Sequence, residues 1–97
     1  MSRAPSWIHT RQMAAAPEGW AEVEGALQRD FRFANFAEAL AFVTRIGELA
    51  EAENHHPDVE IHSNRVRLRW WTHLHDAITA RDHELARKSN GVFHRSS

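Results

Sequence analysis

Asn35-Phe36-Ala-Glu38-Ala-Leu40-Ala-Phe-Val43-Thr-Arg45-Ile46-Gly-Glu48-Leu-Ala50-Glu51-Ala-Glu-Asn54 is the stretch on which the fold turns. Asn35 offers an N-cap, and Glu38 three residues later completes a capping-box-like start. Phe36, Leu40, Val43, Ile46 and Ala50 recur at three- and four-residue steps. Glu38, Arg45, Glu48 and Glu51 lie largely elsewhere, so the spacing predicts an amphipathic helix with that apolar stripe against a sheet. Pro57 disfavours helical geometry at His56 and ends the helix by about Asn54.

On either side of this helix the period changes to two. Trp20, Glu22 and Glu24 alternate with Ala21 and Val23, Gly25 breaks the run, and Leu27, Phe31 and Phe33 then share one face, which predicts a hairpin. Arg29 is a blemish on that apolar face and points to a position near an edge. After Pro57, Val59 and Ile61 alternate with Glu60 and His62. After Asn64, Val66, Leu68 and Trp70 alternate with Arg65, Arg67, Arg69 and Trp71, a second hairpin. Ile8 to Ala16 is rich in helix formers and stops at Pro17-Glu18-Gly19. Thr79 can cap a last helix through Asp82, Leu85 and Ala86 towards Asn90, with Gly91 as the left-handed stop and 92–97, like 1–7, a frayed tail. The order α-β-β-α-β-β-α predicts an α+β fold, a four-stranded antiparallel sheet with helices packed on one face, in a single domain over 1–97.

The chain has 97 residues, of which 42% are hydrophobic and 26% charged, an ordinary globular composition. Twelve Lys and Arg against thirteen Asp and Glu give a formal charge of −1, which lacks the basic footprint of a nucleic-acid binder. The absence of cysteine excludes disulfides, thiolate nucleophiles and zinc-finger or iron–sulfur ligation by thiolate. No apolar run reaches a membrane span and the N-terminus has no apolar signal region, so a cytoplasmic protein that neither binds nor crosses membrane is the expectation.

Eight histidines are the abnormal count, and four of them fall between His55 and His73. Histidine titrates near neutral pH, which directs attention to that region. Glu51-Ala-Glu-Asn-His55-His56-Pro57 sets paired imidazoles where a helix gives way to a strand. Glu51 and His55 are four residues apart, so a persistent last turn lets the carboxylate orient His55. His73 falls on the strand face of Arg65, Arg67, Arg69 and Trp71, away from the helix-covered core. Three imidazoles beside a carboxylate make a proton-transfer site without a cofactor. A histidine pair in a polar loop is also ordinary surface decoration, and Glu51 alone is an ordinary solvated helix residue. His55, His56, His73 and Glu51 have the chemistry of a zinc ligand set, although adjacent histidines seldom point at one ion. Asp82, at the third position after Thr79, serves the helix N-terminus or holds an imidazole. Trp70 reads as inward and Trp71 as outward, available to an aromatic pocket or a subunit contact. The arginine row reads as a solvated face.

The combination Glu51-x3-His55-His56-Pro57, Asn64-Arg-Val66, Thr72-His73 and Thr79-x2-Asp82 resembles the pterin-4a-carbinolamine dehydratases, also called 4a-hydroxytetrahydrobiopterin dehydratases. Gly19-Trp20 and Phe31-x-Phe33-x-x-Phe36-x-x-Ala39 extend the resemblance over nearly the whole chain. It implies a fold of the same order, associating into dimers or tetramers, and loss of water from a 4a-hydroxytetrahydropterin to give the quinonoid dihydropterin in tetrahydrobiopterin recycling. No metal or redox cofactor is implied. By the same resemblance His55 and His56 are the acid/base candidates, with His73 a pterin-binding or proton-transfer group. Glu51 orients His55, Pro57 belongs to the motif, and Asp82 supports the pocket. Two positions depart from the family pattern. Ser63 stands where an aromatic is usual, and Leu74-His75-Asp76-Ala77-Ile78 replaces an Asp and a glycine pair. Trp71 stands in place of a smaller residue and offers aromatic surface in exchange. The departures favour an alternative in which the same fold serves as a protein-binding, assembly or dimerisation module.

Overall fold

The computed structural model describes residues 15–96. The helix expected over Ile8–Ala16 lies, apart from its last two positions, outside them. Within them the order is β1 (Ala21–Val23), β2 (Ala26–Arg32), α1 (Phe36–Glu53), β3 (Asp58–His62), β4 (Arg65–Trp70) and α2 (Ala80–Ser96). The strands form one antiparallel sheet in the order β1-β2-β4-β3, with both helices against one face, an α+β architecture.

Register explains why the two faces differ. Leu27, Arg29 and Phe31 of β2 stand opposite Trp70, Leu68 and Val66 of β4 on the covered face. On the open face Gln28, Asp30 and Arg32 meet Arg69, Arg67 and Arg65, which in turn meet Asp58, Glu60 and His62 of β3. Arg67 and Arg69 are thus flanked by acidic or polar residues, whereas Arg65 at the end of the row faces Arg32 and His62. Asp30 takes two hydrogen bonds from Arg67, at 2.8 and 3.2 Å, and that bond holds its carboxyl below the ordinary value. Opposed charges across a sheet stabilise the pairing that brings them together.

Arg29 lies in an interior strand, not near an edge, because its charge has been accommodated inside. The guanidinium sits over the rings of Phe31 and Phe93 and donates to Asn90 Oδ1. Burial pulls its pKa down, with Glu18 acting in the opposite sense. Gly19, at φ +86°, leaves room for it: a Cβ there would lie 2.8 Å from the guanidinium carbon.

In α1 the expected cap is present, Asn35 Oδ1 accepting from the Glu38 amide at 2.8 Å. The buried stripe is rotated from the expected one. Ala39, Phe42, Ile46 and Ala50 are buried, whereas Phe36 and Leu40 are 53% and 45% exposed. Phe42 is drawn inward by an aromatic cluster with Phe31 at 4.8 Å and Phe33 at 5.0 Å, a ring contact that Leu40 cannot make. In α2 the helix continues through Gly91 to Ser96, so 92–96 is not a frayed tail. Val92 is buried and Phe93 packs on Phe31 at 5.0 Å. Burying Val92 is worth ~1.5–3 kcal/mol and the partly buried Phe93 adds to it, together more than the roughly 1 kcal/mol that glycine costs a helix.

Candidate active site

The site begins where α1 ends. Asn54 takes the left-handed conformation at φ 52°, and the His55 amide reaches back to the Ala50 carbonyl at 3.1 Å, a Schellman-like closure. The chain leaves the helix at once, and both histidines fall at the end of the sheet formed by the end of β4 and the start of β3.

His55 turns inward. Its ring stacks on Trp70, with centroids 5.9 Å apart and planes at 22°, and Nε2 lies 2.8 Å from Asp82 Oδ1. Asp82 is fully buried, and its second oxygen accepts from Thr72 Oγ1 at 2.7 Å and from the Thr79 amide at 2.8 Å. Thr72 and Thr79 share a hydroxyl contact of 2.6 Å. One side chain therefore fills both roles read from the sequence: Asp82 binds the free amide at the start of α2 and also holds an imidazole. Because Oδ2 is taken by donors and a carboxylate Oδ1 can only accept, Nε2 of His55 carries the proton of that bond, and in the neutral imidazole the lone pair is then on Nδ1.

Glu51 pairs with the other histidine. Its Oε2 lies 2.7 Å from Nε2 of His56, and both side chains are exposed, at 79% and 54%. The expected Glu51–His55 pair does not form, because the left-handed turn at Asn54 breaks the four-residue helical spacing and Asp82 takes His55 instead.

His73 is also not on a strand face. β4 ends at Trp70, and residues 72–77 form a turn closed by a bridge in which the Thr72 amide donates to the Ala77 carbonyl at 2.9 Å. Asp76 adopts φ 52° here, so an aspartate takes the conformation that glycine supplies in the family pattern. Ser63 also has positive φ, 58°, in the β3–β4 turn. The His73 ring lies on the Trp71 indole, with centroids 3.9 Å apart.

These pieces enclose one cavity of ≈ 320 Å³, lined by Asn54, His55, His56, Trp71, Thr72, His73 and Leu74. All three candidate histidines and Trp71 thus converge. Asp82 lies behind His55, Glu51 lies outside against His56, and Pro57 lines a neighbouring apolar groove of ≈ 670 Å³ together with His56, Val43, Gly47 and Val59. Asn54 and Leu74 are not site candidates from the sequence, and Thr72 enters there only as part of the Thr72-His73 motif. Asn54 carried a readable signal as the residue after a helix end, but Leu74, 88% exposed, carried none. Among the described residues no three His, Asp or Glu side chains are arranged to hold a metal ion. His62 bonds Glu60 away from this cavity, and His75 is exposed in the turn.

Fold and site define a small α+β protein with imidazoles gathered at one end of its sheet. The model of the family described as pterin 4 alpha carbinolamine dehydratase matches residues 6–92, and the chain belongs to that family. A protein of Thermomicrobium roseum, provisionally named a pterin-4-alpha-carbinolamine dehydratase, is 53% identical over 70 residues, 72% of this chain and 75% of the relative. One of Gloeobacter violaceus with the same provisional name is 43% identical over 84 residues, 84% of this chain and 91% of the relative. Among solved structures, a transcriptional coactivator/pterin dehydratase from Brucella melitensis superposes with a TM-score of 0.77 at 30% identity, covering 95% of this chain and 99% of the other. A pterin dehydratase-like protein identified as a RuBisCO assembly factor of the alpha-carboxysome shares the fold, with a TM-score of 0.63 at 16% identity over 75% of this chain and 84% of the other.

Proposed function

We propose that this chain removes water from a 4a-hydroxytetrahydropterin, as in tetrahydrobiopterin recycling. The observation that carries this reading is the convergence of His55, His56 and His73 on one cavity, with His55 anchored by a buried carboxylate. A volume of ≈ 320 Å³ is at the low end of small-molecule sites and suits one bicyclic heterocycle. Trp71 and His73 offer ring surface against which such a plane can stack.

Hydroxide is a poor leaving group. An acid therefore gives a proton to the 4a oxygen as the C4a–O bond breaks, and a base takes the N5 proton as its electron pair forms the C4a=N5 bond. Water and the quinonoid dihydropterin result, with one proton given, one taken and no net redox change. His55, with Nε2–H donated to Asp82 and Nδ1 bearing the lone pair, is suited to take the N5 proton. His56 or His73, nearer solvent, gives the other proton and recovers it from water. Glu51 orients His56, and Asp82 orients His55. The test is the dehydration rate of a 4a-hydroxytetrahydropterin followed with and without the protein. A rate equal to the uncatalysed one rejects this function.

The same reading includes assembly into a homodimer or homotetramer. β3 is an edge strand whose Val59 lines the neighbouring apolar groove, and Phe36 and Leu40 of α1 are large apolar side chains left exposed. Leu40→Glu is expected to lower the mass seen by light scattering after size exclusion to that of a smaller species. A wild-type monomer, or a variant that assembles unchanged, removes this part of the proposal.

A second reading is a protein-binding module, favoured by the exposure of Leu74 at the mouth of the cavity and by the coactivator and assembly-factor names of the two solved structures. Capture of a stoichiometric partner from the native cell that is lost in Leu74→Glu, with no dehydratase activity in the wild type, selects it.

A further inference from the structure

Trp71 separates two cavities. It lines the histidine site and also a smaller cavity of ≈ 260 Å³ with Glu24, Gly25, Asp58, Arg69 and Asp76. Its Nε1–H donates to Asp58 Oδ2 at 3.1 Å, across the join between β3 and the end of β4. Asp58 faces Arg69 in the strand register, where a salt bridge is the obvious use for a carboxylate. Arg69 is instead engaged by Gln28 Oε1 at 2.8 Å and by the Glu24 carbonyl at 3.3 Å, which leaves Asp58 to the indole.

The indole in turn sets His73. The turn that carries His73 fixes only its backbone: the His75 amide donates to the Thr72 carbonyl and the Asp76 amide to that of His73. Among the described residues the His73 ring has no hydrogen-bond partner, and its aromatic contact is Trp71, at 3.9 Å with planes 34° apart. An exposed imidazole without a hydrogen bond is free to change rotamer unless something packs on it. A half-buried indole is equally free unless its N–H is held.

We infer that Asp58 is a positioning residue for the proposed dehydration, acting through Trp71 to hold the His73 imidazole in the site. This rests on the function proposed above. Asp58 adjoins the His55-His56-Pro57 segment in sequence, so β3 starts by fixing the far wall of the cavity whose near wall has just been laid down. The charged or titratable groups around this assembly are His55 and His56 within the cavity and Asp58, Arg69, Glu24 and Asp76 behind the indole.

The experiment uses the full chain and two readouts. In the wild type, the His73 imidazole protons, assigned by their loss in His73→Gln, are expected to show the upfield ring-current displacement of a proton lying over an indole. Asp58→Ala is expected to reduce that displacement and to lower kcat roughly 10-fold, less than removal of an acid/base group, because the imidazole is misplaced and not removed. Asp58→Asn keeps an acceptor for the indole N–H and should restore both. Trp71→Phe keeps a ring but has no N–H, so Asp58→Ala in that background should cost nothing further. This non-additivity is the signature of action through Trp71. Additive losses, or an Asp58→Ala variant with unchanged shift and rate, overturn the proposal. An inactive wild type overturns its catalytic half together with the function it rests on, while the imidazole shift still decides whether Asp58 holds the contact.

Discussion

His55→Ala is expected to lower the dehydration rate by about two to four orders of magnitude, the usual contribution of a positioned acid/base group. The expectation rests on an imidazole that the fold restrains on two sides, stacked on Trp70 and bonded to Asp82 at 2.8 Å. Because its side chain is only 13% exposed, the substitution also opens a small void and leaves Asp82 Oδ1 without its partner. A modest fall in melting temperature should accompany the loss, and circular dichroism must show the fold intact. His56→Ala provides the complementary case. Its side chain is 54% exposed, so its loss should be purely kinetic, with no change in melting temperature. Unchanged turnover in both variants places the chemistry elsewhere in the molecule.

What could be read of the fold beforehand was set by local rules. The Asn35 cap, the turn signals at Gly25 and Asn64 and the period-two runs on either side of α1 are each short-range, and each was legible. The rotation of the α1 stripe was not, because Leu40 and Phe42 both satisfy a helical apolar period. The choice between them is made by Phe31 and Phe33 at the end of β2 and by Phe93 in α2, two distant parts of the chain. Gly91 failed as a stop for a similar reason. A C-cap signal is a local preference of about 1 kcal/mol, and the packing of Val92 and Phe93 overrides it.

The candidate site shows the same division. Histidine content and the His-His-Pro step located it, and the spacing of Thr72-His73 and Thr79-x2-Asp82 added its other members. The pairing of acids with imidazoles went the other way from helix spacing, since a single left-handed residue, Asn54, rotates His55 off the Glu51 face. The part played by Asp58 was not legible at all. Its partner is 13 residues away, and nothing local distinguishes it from a solvated strand carboxylate.

Two substitutions at Asp82 separate its structural and catalytic duties. Asp82→Ala removes the acceptor for His55, for the Thr72 hydroxyl and for the Thr79 amide at a position with no solvent access. Each buried donor left unpaired costs ~1–3 kcal/mol, so a loss of about 3 kcal/mol or more in urea unfolding is expected, with activity lost as well. Asp82→Asn is the sharper variant because it preserves shape. Donors from Thr72 and Thr79 converge on the Oδ2 position, so the amide oxygen must sit there and the NH2 must face His55. Nε2 then has to accept, the ring proton moves to Nδ1, and the lone pair proposed to take the N5 proton disappears. The expected result is a fold weakened much less than by alanine but turnover reduced roughly 100-fold or more, since an imidazole in the wrong tautomer cannot act as the base. A fully active Asp82→Asn variant would show that the tautomer of His55 does not matter and that another histidine takes the N5 proton.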